Sequence, residues 1–544
     1  MRQTFPTRQN VLKKVEARIT SGHLAPFDRS TTAEALGAAR EEEIPLLLAA
    51  VVGINDPPTP MTKAEILKLG DPFTSEILLR GTYPLTLSAL VTAVEKIQGG
   101  NAFPIRKLFL VAEGGQFRLS HPRFELNARM VFTWQKSDST PPDLLLSTVA
   151  ATNSDASLLQ LIAWSDMDRA FHFFERKHGA WGWAGNSFHA LREPSRGQGP
   201  FDSHINGGLV MKELKFPWAH WHSMSSSIPR EAFPSNSEFH TDPLFGTIDN
   251  AELLENIVKG GVARWTKSRL SADSSGSALK NAPTYIRQIV TPTSANLIST
   301  SLEFERVRRS TLKLPSSFFF DTDGLELGVL RIDAFSDAIP GGRIEVDGDL
   351  YSDAVRDLEM LVPSEDATTS VEGDTHFCFL VPERAFEDVE VARQLLENGI
   401  ISPRFLLSLL MVDFQNPVRS DRRAELLKYC PENLNVGESL ENMFISSVEQ
   451  ANASKSSAEA EFLSYWRETN LLEKIHADLS KFFFGIQAFV SSAEGVKLLV
   501  KLAEFRKGFF RKQLLNEFQS TTSKLGKVIG GKVTISKNGT IHEE

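Results

Sequence analysis

The sequence predicts an α+β fold: a helical N-terminal segment, a central region of mixed or antiparallel β-structure and a helical C-terminal part. Three observations carry that prediction. Residues 30–100 are rich in alanine and leucine, with a helix-capping signature at their start. Between Lys107 and Lys177, short apolar and aromatic runs alternate with turn residues, as in buried strands. From Gly437 onward, apolar residues recur at three- and four-residue spacing, the period of an amphipathic helix. The implied divisions are residues 1–105, mainly helical; 106–270, β-rich with many histidines and tryptophans; 285–430, mixed α/β; and 431–544, helical with a basic end.

Local signals justify each element. Thr31-Thr32-Ala33-Glu34 has the form of a capping box, and Pro57, Pro58 and Pro60 interrupt the run that follows. Residues 76–100, EILLRGTYPLTLSALVTAVEKIQGG, read as a helix closed by Gly99-Gly100. KLFLVAEGGQFRLS reads as a hairpin around Gly114-Gly115, RFELNARMVFTW continues in that style, and KSDSTPPD, residues 136–143, is a loop. LLLSTVAATN, LLQLIAWSD and AFHFFERK follow as strands. Further on, GVLRIDAF, RIEVDGD and HFCFLV read as strands, and FEDVEVARQLLENG reads as a helix. The closing run GKVTISKNGTIHEE is expected to be a frayed tail.

Composition narrows the function classes. The chain has 544 residues, 41% hydrophobic and 23% charged, and a formal net charge of -9. That balance gives no overall attraction to nucleic acid or anionic lipid. Cys378 and Cys430 are its two cysteines, too few for a disulfide scaffold, which suits a cytoplasmic protein. The longest apolar runs, Ile44–Ile54 and Phe405–Val412, fall short of the ~20 residues of a membrane span. Near the C-terminus, Lys497, Lys501, Arg506, Lys507, Arg511 and Lys512 accompany Phe505, Phe509 and Phe510 on an amphipathic helix. This is either a packed helix with a solvated basic face or an interaction surface.

The strongest anomaly is central. Seven of the twelve histidines (His172, His178, His189, His204, His220, His222 and His240) share a window with five of the eight tryptophans, Trp164, Trp181, Trp183, Trp218 and Trp221. Within it, SHINGGLVMKELKFPWAHWHS places His220 and His222 two residues apart, on one side of an extended chain. Two such imidazoles can share iron, zinc or copper, with His204, His240 or Glu213 completing the set. Trp183, Trp218 and Trp221 would wall a dry pocket, and Glu213 or Lys212 could act as acid or base. A lone histidine here could also ligate haem.

His240-Thr241-Asp242, followed far along by His376 and Arg384, resembles the residue order of iron- and 2-oxoglutarate-dependent oxygenases. The resemblance implies iron held by His240, Asp242 and His376, with Arg384 on the cosubstrate carboxylate. The long helix-like AELLENIVKGGVARW between them departs from the compact barrel of that family. The sequence lacks GxSxG, GxxxxGK[ST], HExxH and a strand-borne GxGxxG. Asp321-Thr322-Asp323-Gly324 fails as a calcium loop because its glycine comes too early. The expectation is a metal- or haem-dependent oxidoreductase acting on a small molecule. The alternatives are a metal-free small-ligand protein and an interaction scaffold. The sequence sets no oligomeric state.

Overall fold

The computed structural model describes residues 48–52, 59–112, 128–149, 159–177, 180–196, 198–202, 204, 206–209, 235, 238–249, 251–276, 278–291, 295–299, 311–314, 316–327, 337–339, 344–358, 361–363, 370–372, 380–417, 420–451, 454–513 and 532–544. It has an α+β fold that divides into two compact units between Ser268 and Arg269.

The first unit is organised by an eight-stranded sheet. Its strands are β1 (Leu48–Ala50), β2 (Thr59–Pro60), β3 (Ile105–Ala112), β4 (Ala128–Gln135), β5 (Leu144–Val149), β6 (Leu159–Ser165), β7 (Ala170–Lys177) and β8 (Ala180–Asn186), in spatial order β2-β1-β8-β7-β6-β5-β4-β3. β3 to β8 form an antiparallel meander, and β1 joins β8 in parallel. Register aligns Leu108, Phe132, Leu146, Leu161, Phe174 and Trp183 in one row across the sheet. Since strand side chains alternate in direction, this row shares a face, and α1 (Lys63–Leu69), α2 (Pro72–Glu76) and α3 (Leu87–Glu95) cover that face with Ile66, Phe73, Leu90 and Val94. The next row on the same face is Trp134, Leu144, Ala163, His172 and Asn186, so apolar pairs give way to polar ones at its end. The unit also contains α4 (Glu238–Thr241) and most of α5 (Ala251–Asp273).

Two N-terminal expectations are corrected. Leu48–Ala50, inside a stretch expected to be helical, is a buried strand, because pairing to β8 satisfies its backbone where helix propensity is overridden. Residues 76–100 are not one helix. Gly81, at φ +83°, and Pro84 interrupt the run, and α3 restarts with Thr86 capping Ala89. Thr31–Glu34 and the Gly114-Gly115 tip lie outside the described residues.

The second unit is mainly helical. Its elements are β9 (Ser274–Ser275), β10 (Ala278–Leu279), α6 (Ala282–Val290), β11 (Ala295–Ser299), β12 (Thr311–Leu314), α7 (Thr322–Leu327), β13 (Ile344–Asp347), α8 (Gly348–Asp357), β14 (Leu361–Pro363), β15 (Ser370–Glu372) and β16 (Leu380–Arg384). They continue with α9 (Phe386–Glu397), α10 (Pro403–Leu410), α11 (Asp421–Glu425), α12 (Leu440–Glu449), α13 (Ala458–Trp466), α14 (Leu471–Phe489), α15 (Ala493–Gln513), β17 (Val533–Ile535) and β18 (Ile541–Glu543). The strands pair as short antiparallel ribbons. Two apolar clusters build the interior, one around Phe405, Phe444 and Phe462, the other around Phe319, Phe482 and Val500.

The expected frayed tail is a hairpin. Val533, Ile535 and Ile541 are buried in the second cluster, and Gly485 admits the carbonyl of Asn538 so closely that no side chain fits between. The alternation Val-x-Ile ahead of Asn538-Gly539 is a hairpin signal that composition alone conceals. On α15, Arg506 is buried and its guanidinium donates to the carbonyls of Phe318 and Gln415, while Lys501 pairs with Glu543. Part of the expected basic face is thus spent inside the unit. Among the described residues, no single helix is long and apolar enough to cross a membrane.

Candidate functional site

The four-residue loop Asp166–Arg169 joins β6 to β7 and closes with Arg169 at φ +51°. The Ser165 hydroxyl accepts the Asp168 N–H at 3.1 Å, which turns Asp168 back over β7. Its Oδ2 lies 3.0 Å from Nε2 of His172, a fully buried residue (0% exposed). On the ring's other side, Nε1–H of Trp183 donates to Nδ1 at 3.0 Å. An indole nitrogen can only donate, so Nδ1 of His172 carries the lone pair and Nε2 the proton. Both ring nitrogens are committed within the protein, and the ring stacks on Trp183 with centroids 5.9 Å apart.

Asp168 Oδ2 also accepts Nδ2–H of Asn186 at 3.3 Å. The bond from His172 holds the Asp168 carboxyl below its usual range against the opposing effect of burial, with Asn186 and His189 adding to the lowering. Asn186 Oδ1 in turn receives the backbone N–H groups of Phe188 and His189, and lies 2.7 Å from Nδ1 of His189. The His189 ring meets Trp183 edge-on at 5.5 Å. Beneath, Asp71 caps α2 through Thr74; burial raises its pKa, and the nearby His172 works in the other direction. The same loop sends Asp166 elsewhere, to Trp164 Nε1 at 2.8 Å and to Arg264, which lies 4.1 Å above the Trp164 ring.

His204 belongs to the sheet's opposite face. Its ring packs on Phe173 at 5.3 Å, and Phe173 and Phe174 alternate across β7. The turn that presents it is pinned twice: Ser187 Oγ donates to the Gly207 carbonyl at 2.8 Å, and Trp265 Nε1 donates to the Asn206 carbonyl at 2.8 Å. Gly207 sits at φ +74°, where an added Cβ would lie 2.5 Å from the Ser187 carbonyl oxygen, so only glycine fits. His204 Nδ1 is 3.0 Å from the Gly208 carbonyl, an acceptor, and therefore carries the proton. Burial pulls its pKa down to about 4, against the Gly208 bond, so the ring is neutral at neutral pH with its lone pair on Nε2.

The sequence-derived candidates are distributed as follows. Lys212, Glu213, Trp218, His220, Trp221 and His222 lie outside the described residues, as does His376. His240 sits on α4 with its ring against Phe239. Asp242 spends its carboxylate on the Leu244 N–H. Arg384, in the second unit, is buried on Asp321 at 2.5 Å and the Gln288 carbonyl at 2.9 Å. Asp321 itself also caps α7 through Gly324. Cys430 is largely buried, which pushes its thiol up to about 12 and makes it a poor nucleophile. His172, His189 and Trp183 come together at one corner of the sheet, apart from His204. Among the described residues, no three His, Cys, Asp or Glu side chains gather as a metal site would require.

The residues that sequence reasoning passed over are Asp168, Asn186, Ser187 and Trp265. Asp168 carried a faint signal, an acid four residues before a histidine at a loop–strand junction. Asn186 carried none for its bond to Asp168, which comes from strand register. Comparison with protein-family models, with characterised proteins and with solved structures finds no match for this chain.

Proposed function

We propose that the first unit binds a small molecule at the sheet corner formed by Trp183, Asn186, His189 and Asp168, with polar side chains doing the chemical work. One observation carries this. A buried imidazole and a side-chain amide, His172 and Asn186, continue a row of apolar cross-strand residues, a loop carboxylate, Asp168, bonds both, and Trp183 donates to the ring's other nitrogen. Burying such groups costs stability, and titratable groups placed this way cluster at functional sites. The tests are native mass spectrometry of the purified protein for a retained small molecule and thermal shift against a panel of small polar metabolites. A binder whose shift disappears in His189→Ala supports the corner. A binder whose shift survives both His189→Ala and Asp168→Asn removes it.

The second proposal, a metal- or haem-dependent oxidoreductase, is favoured by His204. A ring that donates Nδ1–H to a backbone carbonyl and keeps a neutral Nε2 has the orientation typical of metal-ligating histidines. Iron or haem would lead, with zinc or copper as further possibilities, and His220, His222 or His240 would supply other ligands. Metal analysis and an absorption spectrum separate the cases. A Soret band indicates haem, and stoichiometric iron without one indicates a non-haem centre. Full metal occupancy in His204→Ala would rule that ring out. Under either proposal the protein works in the cytoplasm on a small molecule, its two cysteines reduced.

A further inference from the structure

We propose that the ligand of this corner is a small organic cation, an ammonium or amidinium, whose N–H donates to Oδ1 of Asp168. The proposal rests on the small-molecule site above and adds the chemical class that the site takes. The hydrogen bonds of the carboxylate carry it. Trp183 donates to Nδ1 of His172, so His172 offers Asp168 an N–H at Nε2 and brings no net charge. Asn186 Oδ1 receives the backbone N–H groups of Phe188 and His189, so the amide turns its NH2 towards Asp168. Both donors reach the same oxygen, Oδ2, at 3.0 and 3.3 Å, and together they occupy its two lone pairs. Among the described residues no hydrogen bond reaches Oδ1, and the Asp168 side chain is 35% exposed. A further donor therefore has one oxygen to approach.

The charge of the carboxylate selects among donors. Its pKa lies below the usual range, chiefly through the bond from His172, and His189, linked to it through the Asn186 amide, adds to the lowering. Among the described residues no lysine or arginine, Arg169 beside it included, lies within ion-pair distance. Asp166 in the same loop is bound to Arg264 and the Trp164 indole, and Asp71, buried near His172, is a second acid. A ligand that covers Asp168 strips water from this charge. A neutral donor would leave the charge uncompensated and an anion would be repelled, whereas an ammonium or amidinium brings the missing charge together with its hydrogen bond. The carboxylate is also held in advance. Ser165 Oγ fixes the Asp168 backbone, and Met167 sits so close to Gly70 that a Cβ added there would lie 2.9 Å from the Met167 Cβ. A group fixed in this way loses little freedom on binding. Met167 is 68% exposed and offers the apolar body of such a cation a thioether to lie on.

The test is a ligand-observed NMR titration of the full chain with probes of similar size: benzylammonium and benzamidinium as cations, benzyl alcohol as the neutral donor and benzoate as the anion. Both cations are expected to bind more tightly than benzyl alcohol by about tenfold, with benzoate weakest. In Asp168→Asn the amide oxygen can take both donors held by Oδ2, which puts the NH2 where the ligand's N–H must approach, so binding of the cations is expected to vanish. Cations that bind Asp168→Asn as tightly as the parent overturn the inference. So does benzyl alcohol or benzoate binding the parent at least as tightly as the cations; if His189→Ala then abolishes that binding, the corner stands and only the class of its ligand falls. Binding of none of the probes at concentrations up to about 10 mM overturns the inference and counts against the corner as well. The order among the probes is read in the parent protein, so the test holds should Asp168→Asn fail to fold.

Discussion

The two units bury charged and titratable side chains in different ways. In the second unit the buried cations are guanidiniums spent mostly on backbone carbonyls. Arg423 donates to the carbonyls of Leu410, Val412 and Asn416, which lie at and beyond the end of α10, where helix geometry leaves carbonyls without partners. Arg506 does the same for Phe318 and Gln415. Burial lowers both to about 10, so each stays charged at neutral pH. In the first unit the buried groups include imidazoles, and their partners are largely side chains: the carboxylate of Asp168, the amide of Asn186 and the indole of Trp183. The first pattern closes a fold, whereas the second sets a titratable ring against a titratable carboxylate. That contrast is the reason the proposed site is assigned to the sheet unit.

The largest expected effect tests the structural half of the contrast. Arg423→Met leaves three carbonyls of a buried turn without their donor and leaves Asp321 and Asp413 short of a nearby positive charge. Urea unfolding should show a loss of about 3–5 kcal/mol. Since a guanidinium does not titrate here, the loss should be the same at pH 5 and pH 7. A cost below ~1 kcal/mol, or one that changes with pH, would put Arg423 outside the structural class.

His204 should behave in the opposite manner. Folded, it stays neutral down to about pH 4; unfolded, it protonates near its ordinary value of 6.5. Between those values the unfolded chain binds the extra proton, so stability falls as pH falls. The contribution is complete above ~6.5 and is lost by about 4, amounting to about 3 kcal/mol. Asp168 and Glu459, whose pKa values are lowered, act in the same direction but at lower pH, below their unfolded values. Asp71, whose pKa burial raises, opposes them above its ordinary value, so the interval from 4.5 to 6.5 reports on the imidazole through the difference between the parent and His204→Gln, which keeps Asp71. Denaturation of chelator-treated protein across it should slope steeply in the parent and much less in His204→Gln. Equal slopes would mean the ring is hydrated.

Gly485→Ala probes the helical unit where backbone meets backbone. The new Cβ would lie 1.8 Å from the Asn538 carbonyl oxygen, so the terminal hairpin must shift off α14. A loss of about 2 kcal/mol and faster proteolysis near Asn538 are expected. Unchanged protection would show that the hairpin is held by Val533, Ile535 and Ile541 alone.

Much of the layout was legible in the sequence because each signal was local. Short apolar and aromatic runs gave β5, β6 and β7, and the 3.6 period gave α12, α13 and α14. The misreadings came from contacts distant in sequence. Leu48–Ala50 is a strand because β8 lies beside it, and the last thirteen residues are ordered because Gly485 and α15 receive them. At the site, the clustering of histidine and tryptophan marked the stretch of chain that holds His172, Trp183 and His189, which the structure brings together. It could not separate rings on opposite faces of a sheet. His172 and His204 are divided by the alternation of Phe173 and Phe174, which depends on strand register. Asp168 and Asn186 were missed because carboxylate and amide residues are common, and only the pairing of β7 with β8 brings these two within hydrogen-bonding distance of each other.

The smallest expected effect separates the two roles of His172. Glutamine can accept the Trp183 indole N–H through Oε1 and donate to Asp168 through Nε2, so His172→Gln keeps both bonds in kind and removes only the titratable ring. It should cost about 1 kcal/mol, whereas His172→Phe leaves a buried donor and a carboxylate unmatched and should cost about 1–3 kcal/mol more. Trp183 fluorescence distinguishes the cases further. His172→Phe leaves the indole N–H without its acceptor and should shift the emission, whereas in His172→Gln the neutral-pH spectrum should stay close to the parent's. Should His172→Gln shift the emission as far as His172→Phe does, the glutamine fails to replace the bond at Nδ1, and the ring itself, with its stacking on Trp183, is what the corner requires.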